Sequence, residues 1–168
     1  MSGLLNNFTH LFNESQKKRQ NRPFLKAAMA ACAMSSTSEG EVHFCDRIRL
    51  DQILHTLEKL KIFDPHEGVN IFNDYAEKIS ANPKQGHAEA LAAVTKVATD
   101  KTTAELIVRL CLAISLSDGK TSMVEQIEIV SLCSLLGVDA NLLGLDMQKL
   151  VSTIETSDDI EFLQPPVK

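Results

Sequence analysis

Tryptophan is absent from this 168-residue chain, tyrosine occurs once, and aromatic residues make up only 5%. The core must therefore be built from Leu, Ile, Val, Ala and Met, which suits packed helices better than a β-sandwich. No stretch alternates apolar and polar residues with period two for long, so no strand is expected. No apolar run reaches membrane-spanning length, and the N-terminus lacks a basic region followed by an apolar core. Neither a spanning segment nor a secretory leader is expected, and the expected location is the cytoplasm. There is no CxxC pair: Cys32, Cys45, Cys111 and Cys133 sit singly inside apolar helical patterns and read as reduced, buried small hydrophobes. An excess of basic residues is also missing. Lys and Arg number 17 against 22 Asp and Glu, a net charge of −5, which argues against a nucleic-acid partner. The one basic run, Lys17-Lys18-Arg19-Gln20-Asn21-Arg22, reads as a solvated linker.

What the chain does have is length enough for one domain burying roughly 70% of its unfolded surface, and a pattern written twice. Leu25 to Asp46 starts as a run in which Ala27, Ala28, Ala30, Ala31 and Ala33 leave little bulk on any face. Such a helix belongs in the middle of a bundle. It breaks at Ser38-Glu39-Gly40-Glu41, and a second helical pattern begins near His43. Leu106 to Glu125 repeats the pattern. Laying Asp118-Gly119 on Glu39-Gly40 pairs Cys32 with Cys111, Ser36 with Ser115, Asp46 with Glu125 and Ile48 with Ile127.

The rest divides by helical period and stop signals. Leu4, Leu5, Phe8, Leu11 and Phe12 form one stripe of a short amphipathic helix within residues 1–20, docked on the bundle or partly free. Pro23 opens the first central helix. Phe44, Ile48, Ile53, Leu54, Leu57 and Leu60 mark a helix to about Lys61, which places Cys45 on or near a buried stripe. Asp64 caps the next helix with Pro65 in its first turn, and Asn82-Pro83 ends it. Gln85 to Thr99, Thr103 to Ser117 and Ser122 to Leu136 follow, with Gly137 as a C-terminal stop. Asp139 opens a last helix through Leu142, Leu145, Met147, Leu150, Val151 and Ile154, and residues 157–168 form a tail. The expectation is an all-α bundle of about seven or eight helices occupying residues 21–156, with two repeats at about 25–60 and 104–137.

Asn21-Arg22-Pro23-Phe24, Met29-Ala30-Ala31-Cys32-Ala33-Met34, Leu60-Lys61-Ile62-Phe63-Asp64 and Ser117-Asp118-Gly119 together resemble the TerB-like tellurite-resistance family. The resemblance runs roughly from Asn21 to Asp139. It implies a compact, internally duplicated helical bundle of a tellurite or chemical-stress response, without enzymatic activity. It also implies acidic surface residues that bind metal ions, or a protein or membrane-associated partner of a Ter-type system. Carried onto this sequence, the family's acid-Gly motif falls on Asp118, Gly119 and Glu125, and on Glu39, Gly40 and Asp46. The first copy exchanges the two acids and adds His43 and Cys45; the second places Lys120 beside Asp118.

Two readings of these acids follow. In one, Glu39, Asp46, Asp118 and Glu125 converge on a divalent cation, Ca²⁺ or Mg²⁺, which take oxygen ligands. In the other they are helix caps: Ser122 and Glu125 form a capping box, His43 and Asp46 a poorer one, and Asp118-Gly119 is an ordinary turn. A softer site at His43, Cys45 and Asp46 and a Cys–His nucleophile pair are weaker alternatives. His55, His66 and His87 read as exposed. The competing function is a structural scaffold that presents a helical surface to a protein or membrane-associated partner.

Overall fold

The computed structural model describes residues 2–144. The first helix, α1 (Ser2–Ser36), holds the rest together. Its alanines at 27, 28, 30, 31 and 33 are all fully buried, as are Leu25, Met29 and Cys32, because neighbours close on it from every side. Small side chains let those neighbours approach closely. Five further helices follow: α2 (Phe44–Thr56), α3 (Pro65–Ala81), α4 (Pro83–Val97), α5 (Lys101–Ser115) and α6 (Met123–Leu136). A 3₁₀ turn, Ala140–Leu143, comes last among the described residues. The architecture is all-α. α1 packs against α3, α4, α5 and α6, while α2 lies against α3 and α5.

The helix boundaries follow local chemistry. The Asp64 carboxylate accepts the His66 amide and Pro65 takes the first helical position, as the sequence indicates. Asn82 ends α3 and caps α4 through the Gln85 amide, with Pro83 next. Gly137 terminates α6 at φ 67°, a left-handed conformation that glycine adopts without strain.

Three expectations are corrected. Pro23 does not open a helix; α1 runs through it without a break, although proline donates no amide to the preceding turn. The helix from Phe44 ends at Thr56 rather than near Lys61, and Leu60 reaches the core from the turns that follow. Phe44 and Ile48 do not lie on a buried stripe: they are 79% and 46% exposed. Six α-helices and a 3₁₀ turn stand among the described residues. The final helix expected through Leu145 to Ile154 and the tail from Ser157 lie outside them, as do the side chains of the Leu4 to Phe12 stripe.

The core joins Phe24 and Met29 of α1 to Leu50 and Leu54 of α2, Phe72 of α3, Val94 of α4, Ile107 and Ile114 of α5, and Ile129 of α6. The C-terminal halves of α1 and α5 run side by side in the same direction. The Cys111 thiol donates to the Ala31 carbonyl (3.5 Å), and four residues on Ser35 Oγ meets Ser115 Oγ (2.8 Å). Both helices therefore end at the same place on the surface.

Candidate functional site

The turns that leave α1 and α5 are built alike. Thr37 N donates to Ala33 O and Leu116 N to Leu112 O; Gly40 N donates to Thr37 O and Gly119 N to Leu116 O. Past the turn, Arg47 N donates to His43 O and Gln126 N to Ser122 O. Each bond of the second set lies 79 residues beyond its counterpart in the first. Both turns need a glycine, because Gly40 (φ 105°) and Gly119 (φ 82°) occupy backbone space where a Cβ is strained.

Because α1 and α5 end together, the two turns face one another across a concavity of about 340 Å³. Glu39, Asp46, Asp118 and Glu125 all line it, together with His43, Cys45, Ser115, Ser117, Lys120, Thr121 and Ser122. The four carboxylates named from the sequence thus share one mouth. They are not alike within it. Asp46 is 5% exposed; its Oδ2 accepts the His43 amide (3.1 Å) and its Oδ1 accepts the Ser117 hydroxyl (2.6 Å). The second of these bonds ties the first turn to the second. Glu125 Oε2 accepts the Ser122 amide (2.8 Å), and the Glu125 amide donates back to Ser122 Oγ (3.2 Å), completing the capping box. Glu39 and Asp118 are exposed at the rim. Glu39 Oε2 lies 3.9 Å from His43 Nε2, and Asp118 Oδ1 accepts the Lys120 amide at 2.9 Å.

The electrostatics register this convergence. Burial pushes the Glu125 carboxyl above its ordinary value, its bonds to Ser122 pull it down, and the negative charges of Glu39 and Asp118 raise it again. Even so, no three His, Cys, Asp or Glu side chains among the described residues are placed to hold a metal ion. Capping is the reason: the inner carboxylates are turned toward helix N-termini instead of toward a shared point. A cage of direct protein ligands does not fit these residues, and that holds equally for the softer set of His43, Cys45 and Asp46. The Cys45 thiol lies 4.0 Å from Asp46 Oδ1. The remaining cysteines are buried, and burial raises all three thiols, Cys32 to about 12. Such thiols are poor nucleophiles.

One pair escaped the sequence reading. His87, expected on the surface, is half-buried, and its Nε2 lies 2.8 Å from Glu128 Oε1. Burial, with the charge of Glu125 adding to it, lifts the Glu128 carboxyl to about 7. The partners are separated by 41 residues, and no spacing rule connects them.

No helix among the described residues is long and apolar enough to cross a membrane. Comparison with curated proteins and with solved structures gave no match. A family profile described as "Tellurite resistance protein TerB" does match, over residues 25–144, a span that begins in the buried half of α1 and holds both turns. The chain belongs to the TerB family of tellurite resistance proteins.

Proposed function

We propose that this is a non-enzymatic, cytoplasmic protein of a tellurite or chemical-stress response whose acidic mouth binds a largely hydrated divalent cation. The observation that carries the reading is the meeting of Glu39, Asp46, Asp118 and Glu125 in a single concavity. Mg²⁺ keeps several waters and needs only one or two carboxylates, whereas Ca²⁺ prefers six to eight oxygens gathered around it. Glu39 and Asp118, exposed at the rim, suit the first arrangement. Asp46 and Glu125, committed to caps, contribute negative potential behind them. The recurrence of the turn hydrogen bonds at a constant separation supports an internal duplication as the origin of this two-sided mouth.

The test is titration of the whole protein with Mg²⁺ and with Ca²⁺, followed by amide NMR. Saturable shifts centred on residues 39–46 and 117–125 are expected, weak in affinity and lost in a Glu39→Gln/Asp118→Asn variant. An absence of shifts up to millimolar metal, or shifts that survive this variant, overturns the reading. A second reading rests on a separate observation. Phe44, Ile48, Leu116, Val124 and Ile127, all on or beside the segments that form the mouth, are exposed. That apolar surface supports docking of a partner protein at the same place. Phe44→Ser/Ile48→Ser would then abolish partner binding while leaving the metal titration unchanged.

A further inference from the structure

At the start of the buried half of α1, the surface has the opposite character. Arg19, Arg22 and Lys26 stand three and four residues apart, so one face of the helix presents all three. α4 faces them with Ala93, Lys96 and Val97 at the same kind of spacing. The two helices enclose a hollow of about 280 Å³, with the four cationic side chains around Pro23, Ala93 and Val97. No carboxylate of the described residues lines it. Arg22 has a partner, an ion pair with Glu67, and its guanidinium lies 5.9 Å from the Phe63 ring centre. Arg19, Lys26 and Lys96 take part in no ion pair among the described residues. In a chain with a net charge of −5, folding has gathered four positive charges on one concave site. Mutual repulsion of like charges on one helix face is unfavourable, and a bound anion relieves it.

We propose that this hollow binds the phosphate group of a phosphate monoester whose organic body rests on Pro23, Ala93 and Val97. A phosphate monoester carries close to two negative charges and three strong acceptor oxygens near neutral pH. Arginine meets such a group with paired N–H donors and lysine with a point charge, and the hollow supplies both. Three apolar side chains on its surface distinguish it from a site for a bare inorganic anion. A soluble ester and a phosphatidic acid headgroup offer the same chemistry.

The experiment uses the full chain and two probes. Phenyl phosphate is titrated against the labelled protein by amide NMR, and vesicles of phosphatidylcholine, with or without phosphatidic acid, are tested by co-sedimentation. Phenyl phosphate is expected to shift residues 19–26 and 93–97. Lys26→Gln/Lys96→Gln should weaken it about tenfold or more, because two charge-assisted contacts are lost, while Lys84→Gln/Lys101→Gln, which removes the same charge elsewhere, leaves it unchanged. All four lysines are exposed, so both variants should fold, which thermal melts check. Sedimentation with phosphatidic acid vesicles that depends on Lys26 and Lys96 identifies a lipid headgroup as the source, and NMR binding without sedimentation identifies a soluble ester. Failure of both probes, or equal weakening by the two double variants, overturns the proposal.

Discussion

Ser35 and Ser36 are adjacent, almost equally buried and opposite in satisfaction. Ser35 Oγ meets Ser115 Oγ at 2.8 Å and donates toward the Cys111 carbonyl at 3.2 Å, whereas Ser36 Oγ has no hydrogen-bond partner among the described residues. A buried, unpaired hydroxyl carries a desolvation penalty without recompense. Ser36→Ala should therefore hold stability or raise it by up to ~1 kcal/mol, and Ser35→Ala should lower it by ~1–2 kcal/mol by stranding Ser115. Urea midpoints of the two variants decide; equal losses would contradict the assignment. The His87–Glu128 pair makes a pH prediction. The folded Glu128 carboxyl keeps its proton to about pH 7, while the unfolded one releases it near 4.5. Between those values the native state binds more protons, so its stability falls as pH rises, by at most ~3 kcal/mol. Glu128→Gln should flatten the slope, read as denaturation midpoints at about pH 5 and about pH 8; a slope parallel to the wild type would refute this.

Between elements, α4 comes very close to the end of α3 at Gly86. A Cβ at Gly86 would lie 2.5 Å from both Ile79 Cα and Ile79 N and 2.6 Å from the Lys78 carbonyl carbon, all of them backbone atoms that cannot swing aside. Gly86→Ala should cost ~2–3 kcal/mol despite the better helix propensity of alanine, and a thermal melt measures it. A stabilised variant would mean that the two helices can separate. Much at this scale was legible in sequence. The central position of α1 follows from alanines on every face, and the starts of α3 and α6 follow from Asp64 and Ser122, whose side chains answer to nearby amides. What failed had a common cause. Phe44 and Ile48 satisfy a helical period, but period alone does not say whether a neighbour lies on that side. Pro23 carries a local start signal, which the helix overrides by running through it just where Phe24 and Leu25 become buried. His87 and Glu128 meet only because α4 and α6 are arranged by the core.

Across the whole molecule, the acids could be named from sequence because the repeated turn is local, and their arrangement could not, because it depends on α1 and α5 ending together. The bond from Ser117 to Asp46 spans 71 residues. Holding the ends of so wide a loop together requires the intervening chain to be ordered. The mouth is thus a product of complete folding, absent from a fragment that carries either turn alone. Anything that binds across it reports on the native population of the entire chain. A ligand at one hundred times its dissociation constant would add about 2.7 kcal/mol to global stability, so the denaturation midpoint itself becomes a binding assay.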